Sequence, residues 1–120
     1  MKFETLAVHA GHGPDPAFGA VMQPIYQVST FAFKGFGEPG TYDYTRSGNP
    51  TRAALEACLA QLEGGTRGFA FCTGMAAEAT ALGLLSAGDH VIVHDDLYGG
   101  TYRLMTTFAA SHGIRAEFVN

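Results

Sequence analysis

No apolar run in this sequence approaches the roughly 20 residues needed to cross a bilayer, and the start Met1-Lys2-Phe3-Glu4-Thr5 places an acid early with no long apolar stretch behind it. Neither a membrane span nor a secretory signal is expected, and the cytoplasm is the default location. Basic residues are also few: seven lysines and arginines against eleven acids give a net charge of -4. The arginines are scattered, so the basic stripe on which nucleic-acid binding depends is missing. Only two cysteines occur, Cys58 and Cys72, too far apart for a Cys-x-x-Cys site and each in apolar surroundings. Both are expected to be buried thiols. Disorder is excluded as well, since apolar residues make up 47% and charged residues 15% of the 120 positions.

All five prolines fall within residues 1–50, among scattered glycines and without a long helical period, so an irregular arm is expected there. The organisation then changes. Asn49-Pro50-Thr51 is a helix-start signal, because Asn can cap free amides and Pro at the first helical position loses only an N–H that would be unpaired anyway. Ala54, Leu55, Cys58, Leu59 and Leu62 recur at three- and four-residue spacing until Gly64-Gly65 ends the pattern. Beyond it the spacing predicts a strand over residues 67–72, a turn at Thr73-Gly74, and a helix from Met75 to Leu85. A second strand is predicted over His90–His94, a turn at Tyr98-Gly99-Gly100, a helix from Thr101 to Ser111, and a third strand from Ile114 to Val119. Strands separated by helices of this length imply parallel pairing, so residues 49–120 are expected to form an α/β unit of βαβαβ type. Strands apolar nearly throughout suit a sheet covered on both faces. Three strands alone would leave an open edge.

Several segments could carry chemistry. Cys72-Thr73-Gly74-Met75 lies where a strand passes into a helix, the place where free amides attract a phosphate in a parallel α/β sheet. Tyr44-Thr45-Arg46 offers a guanidinium fork and a phenol, a pairing suited to a dianion. Asp96-Leu97-Tyr98-Gly99-Gly100 follows the next strand, where an aromatic ring could lie flat on a planar ligand. Gly35-Phe36-Gly37-Glu38-Pro39-Gly40 has the spacing of a dinucleotide fingerprint, but Pro39 and the run after it forbid the required helix. His90 and His94, with Asp95 and Asp96 close behind, and the pair His9 and His12 raise a rival reading as a metal-binding or interaction module. No further ligands recur at zinc-like spacing, and no metal is expected.

Taken together, Leu6-Ala7-Val8-His9-Ala10-Gly11, Pro24-Ile25-Tyr26-Gln27, Tyr44-Thr45-Arg46-Ser47-Gly48-Asn49-Pro50-Thr51, Thr73-Gly74-Met75-Ala76-Ala77 and Asp96-Leu97-Tyr98-Gly99-Gly100-Thr101 resemble the cystathionine γ-synthase and γ-lyase branch of the Cys/Met-metabolism enzymes that depend on pyridoxal 5'-phosphate (PLP). The resemblance runs over essentially the whole chain. It implies the amino-terminal part of the aspartate aminotransferase-like, fold type I architecture, with residues 1–48 as an arm contacting a neighbouring subunit and 49–120 as the first part of the PLP-binding domain. It also implies that Thr73, Gly74 and Met75 hold the cofactor phosphate, that Tyr98 stacks on the pyridine ring, and that Tyr44 and Arg46 reach the phosphate of a neighbouring subunit. Arg103 would face the substrate entrance. The assembly would be a homotetramer built from dimers, acting on a small amino acid such as an O-acylhomoserine or cystathionine.

Methionine γ-lyases of the family often carry cysteine where Gly100 stands, so that activity is not expected. Ser47-Gly48 and Tyr102-Arg103 look more like the synthase and γ-lyase than the O-acetylhomoserine sulfhydrylases. Lys2 and Lys34 are the only lysines and match no family motif. The resemblance therefore places the Schiff-base lysine beyond residue 120, and the 120 residues alone are expected to be inactive. Asn120 stands where the family commonly has aspartate.

Overall fold

The computed structural model describes residues 2–120. Its contacts fall into two compact units, Met1–Ala70 and Phe71–Asn120.

In the first unit, α1 spans Phe3–His9. Seven residues are too few for a helix to persist unaided, and this one docks against α2, Pro50–Leu62. Ala10 is buried, and Gly11, at φ 80, brings its backbone so close to Ala54 and Cys58 that a Cβ would overlap the helix backbone. The arm thus begins with a helix folded onto its own chain, where an irregular segment was expected. No sequence period announces α1, because docking and not amphipathic length sustains it.

The helix α2 starts and stops where its local signals place it. Asn49 accepts a hydrogen bond from Thr51 N at 2.8 Å, and Pro50 occupies the first helical position. At the other end Gly64 takes φ 65, Gly65 N donates to Ala60 O at 2.8 Å, and Gly64 N donates to Gln61 O at 3.4 Å. Those two bonds satisfy carbonyls that a helix end leaves unpaired. Residues 67–70 then run along α2: Gly68 lies against the Glu56 carbonyl, and Ala70 N donates to Glu56 Oε1 at 2.9 Å.

The strand expected at 67–72 does not form. Its apolar composition suits a strand, but a ladder also needs a partner, and the described residues supply none. Consecutive strands of a parallel sheet need not be neighbours, so composition alone could not decide this.

In the second unit, α3 covers Gly74–Leu82, β1 His90–His94, α4 Gly99–Arg103 and β2 Arg115–Val119. A π-helical turn, Leu104–Ala109, continues α4. Strands β1 and β2 pair in parallel, with His90 opposite Arg115 and Val93 opposite Phe118. The chain is thus an α/β fold with a small parallel sheet. Side chains of both strands alternate: Val91, Val93, Ala116 and Phe118 pack on a core of Leu82, Met105, Ala109 and Ile114, whereas Ile92 is 66% exposed. The helical segments cover one face only, against the expected cover on both, so the period of two decides exposure even in apolar strands. Each large core side chain contributes about 1.5–3 kcal/mol by leaving water. The cysteines depart from expectation too: Cys58 is half-buried and Cys72 exposed, since no strand neighbour lies over residues 71–73.

Candidate functional site

The start of α3 presents free amides. Thr73 is its cap, with Oγ1 accepting from Ala76 N at 3.0 Å, and the Thr73 carbonyl accepts from Ala77 N at 3.2 Å. The two amides before them, on Gly74 and Met75, have no acceptor among the described residues. A Cβ at Gly74 would meet nothing within 4 Å, so the glycine keeps the approach open instead of easing a tight contact. Two unpaired N–H groups at the positive end of a nine-residue helix, with a clear path to them, fit a phosphate.

Tyr98 stands beside this helix start. It is the residue before α4, in extended conformation and 70% exposed. Gly100 is buried beneath it: a Cβ there would lie 2.5 Å from Tyr98 Cε1 and 2.9 Å from Met75 Sδ. Glycine at 100 therefore leaves room beside which Tyr98 and Met75 both lie, bringing near each other two expected site residues that are far apart in sequence. The expected turn at Tyr98-Gly99-Gly100 is in fact the beginning of α4. Arg103 is exposed on the same helix, its Nη1 3.9 Å from the position of a Cβ on Gly99.

Tyr44 and Arg46 form their own pair in the first unit. Arg46 Nη2 donates to the Tyr44 hydroxyl at 3.0 Å, and the guanidinium carbon lies 5.3 Å from the ring centre. Both side chains are exposed, which leaves the phenol O–H and the other guanidinium N–H groups available to an anion. Their loop, Asp43-Tyr44-Thr45-Arg46-Ser47, holds few apolar side chains to dock it. Instead it is fastened by backbone: Phe31 N donates to Asp43 O at 2.8 Å, Thr45 N to Ser29 O at 2.9 Å, and the Thr45 hydroxyl to Val28 O. Hydrogen bonds do here what apolar anchors would otherwise do, and composition does not reveal them.

Two of the sequence blocks prove to be one knot. Asn49 Nδ2 donates to Tyr26 O at 3.0 Å, Thr51 Oγ1 accepts from Tyr26 N at 2.9 Å, and the Thr51 hydroxyl donates to Pro24 O at 3.2 Å. Asp43 caps the turn that follows, accepting from the Ser47 hydroxyl at 2.9 Å and from Tyr44 N at 2.6 Å. Those two bonds, the Ser47 hydroxyl first, hold its carboxyl below the usual carboxylate range. Sequence reading missed Arg52 and Glu56, a pair four residues apart whose spacing was the available signal; Arg52 Nε lies 3.7 Å from Glu56 Oε1.

The rival histidines do not converge on a metal. His90 Nε2 lies 3.1 Å from Glu117 Oε2, and His94 Nδ1 accepts from Asp96 N at 3.0 Å. Among the described residues no three His, Cys, Asp or Glu side chains gather. Among the described residues no helix is long and apolar enough to cross a membrane.

Known proteins are similar to this chain along its length. A cystathionine beta-lyase of Coxiella burnetii is 54% identical over 118 residues, which are 98% of this chain and 30% of that protein. A probable cystathionine gamma-synthase of Herpetosiphon aurantiacus is 48% identical over 118 residues, 98% of this chain and 37% of the relative. The crystal structure of cystathionine gamma synthase from Xanthomonas oryzae pv. oryzae, in complex with aminoacrylate and cysteine, superposes with a TM-score of 0.86 at 44% identity, covering all of this chain and 31% of that one. The chain thus spans about a third of the length of the relatives it matches. The β-lyases among them were not anticipated from the sequence. Residues 4–120 match the family described as Cys/Met metabolism PLP-dependent enzyme, and the chain belongs to that family.

Proposed function

We propose that the full-length protein is a cytoplasmic PLP-dependent enzyme of cystathionine γ-synthase type, carrying out γ-replacement or γ-elimination on an O-acylhomoserine or on cystathionine. The observation that carries this reading is the pair of unpaired amides on Gly74 and Met75 beside Tyr98. In this reading Thr73 holds the helix start open, and the Gly74 and Met75 N–H groups bind the cofactor phosphate. The Tyr98 ring would lie against the pyridine ring and keep water from that face. Tyr44 and Arg46 reach the phosphate bound by a neighbouring subunit, and Arg103 lies towards the incoming amino acid. PLP, when bound, supplies the electron sink for the bonds around Cα and Cβ of the substrate.

The Schiff-base lysine belongs to a part of the protein outside these 120 residues. A nucleophilic lysine needs a desolvated or electropositive setting, whereas Lys2 and Lys34 are both exposed. Residues 1–48 act as an arm on a neighbouring subunit, within a tetramer built from dimers. Phe18, Ile25, Phe33 and Phe36 support this, all exposed and available for cover by another copy. Cystathionine γ-lyase and O-acetylhomoserine sulfhydrylase activity are the near alternatives. The Coxiella relative favours a second reading, β-elimination on cystathionine.

Products separate these readings. The purified full-length protein is given O-acylhomoserine with cysteine, O-acylhomoserine with sulfide, or cystathionine alone. Cystathionine from the first mixture marks the synthase. Homocysteine from the second marks the sulfhydrylase. From cystathionine, cysteine with 2-oxobutyrate marks the γ-lyase, and homocysteine with pyruvate the β-lyase. A protein that takes up no PLP yet holds zinc through His90 and His94 would sink the proposal.

A further inference from the structure

Arg52, in the first turn of α2, reaches back to the loop that carries Tyr44 and Arg46. Its Nη1 and Nη2 each lie 3.3 Å from the Arg46 carbonyl oxygen, and Nη2 also donates to the Ser47 carbonyl at 3.0 Å. Among the described residues no other group donates to either carbonyl. Nε faces Glu56 Oε1 at 3.7 Å, and that oxygen is itself fixed by Ala70 N at 2.9 Å. The guanidinium is therefore held by two carbonyls and by a carboxylate that is anchored to another part of the chain.

Every other bond that anchors this loop acts before Arg46 or closes the turn on Asp43 or Tyr44. Phe31 N and Thr45 N fix residues 43 and 45, while Ser47 N and Gly48 N both donate to Tyr44 O. Among the described residues the carbonyl groups of Arg46 and Ser47 are held by Arg52 alone. The orientation of the peptide between them sets the direction in which the Arg46 side chain leaves the loop. As a partly exposed ion pair, Arg52 with Glu56 adds little to stability. Its effect is geometric, since a planar fork matches two carbonyls in a way an ammonium cannot.

We propose that Arg52 is a positioning residue for Arg46, tuning how tightly the cofactor phosphate is gripped; this rests on the reading of Arg46 given above. The test uses full-length apoprotein titrated with PLP and with pyridoxal, which lacks the phosphate. Arg52→Met, which keeps the stem and loses the fork, is expected to weaken PLP binding about tenfold, the scale of one lost charged hydrogen bond, and to leave pyridoxal binding unchanged. Arg52→Lys is expected to recover part of the loss. In an Arg46→Ala background Arg52→Met is expected to add nothing, because its effect passes through Arg46. Equal weakening of PLP and pyridoxal, or a full further loss in the Arg46→Ala background, overturns the proposal. If Arg52→Met does not fold, Arg52→Lys serves in the same comparison with the same two outcomes. Unaffected Arg52→Met beside a weakened Arg46→Ala overturns this inference alone, whereas Arg46→Ala with full PLP affinity overturns the phosphate reading and this inference with it.

Discussion

Gly100 separates what stability needs from what the site needs. The atoms that a Cβ there would meet are the ring edge of Tyr98 and the sulfur of Met75, both on side chains that can swing aside, and Tyr98 is largely exposed. Gly100→Ala is therefore expected to cost no more than about 1.5 kcal/mol in stability, at the low end for overpacking, yet to displace Tyr98. In the full-length protein the bound cofactor's absorbance should shift while the unfolding midpoint barely moves. A large loss of stability with an unchanged spectrum would contradict it. Asp43 shows a second residue-scale effect, in pH. Its carboxyl is held below the usual range by the Ser47 hydroxyl and then by Tyr44 N, so the turn is firmest above about pH 4, the ordinary carboxylate range. That support is lost as pH falls through the depressed folded value. Carboxyl carbon shifts should titrate below the usual range in the protein and move back up in Ser47→Ala; an identical midpoint in both would refute the link. Residues such as Tyr44, Arg46 and Tyr98 were legible as chemistry-bearing types in glycine-flanked loops. Arg52 was not, because its partners are backbone carbonyls that only the folded loop brings to it.

At the scale of elements, α2 was readable from end to end and its neighbours were not. Its limits are written in adjacent residues, Asn49-Pro50 at one end and Gly64-Gly65 at the other, and local rules suffice there. Residues 67–72 depend on a partner that no local pattern names, so an apolar run read as strand joins no ladder among the described residues. The helix α1 depends on Gly11 seating it against Ala54 and Cys58, and α4 begins on glycines that ordinarily signal a turn. The cap of α2 is also the knot that fastens residues 24–26, so it should weigh more than an isolated cap. Asn49 is buried and serves Thr51 N, Tyr26 O and the Thr45 hydroxyl. Asn49→Ala is expected to destabilise the full-length protein by about 2–4 kcal/mol, adding a lost cap to two lost partly buried hydrogen bonds. Asn49→Asp keeps the cap oxygen but not the donor and should fall between the two. Denaturant midpoints measure this series, and an alanine variant no less stable than the aspartate one would show that the cap oxygen is dispensable.

At the scale of the whole molecule, a shared site makes a demand that no single subunit can meet. If Tyr44 and Arg46 serve a neighbour's phosphate, each site takes its lysine from one chain and its arginine from the other. An Arg46→Ala subunit and a subunit without its own Schiff-base lysine are each inactive or nearly so in pure form. In a two-fold dimer of the two, one site joins the intact lysine to the intact arginine, and the other site lacks both. Equal, random mixing makes half of the dimers hybrid, each with one complete site, so about a quarter of wild-type activity should return. The exposed guanidinium and phenol, with donors still unused, are what such an arrangement requires of the free subunit. Activity is followed after mixing, unfolding and refolding the two variants together, with each variant refolded alone as the baseline. Recovery near a quarter supports sharing, and the gain should vanish when either variant is carried through in large excess. A mixture no more active than the average of its parents would place Arg46 in its own chain's site, or away from the phosphate altogether.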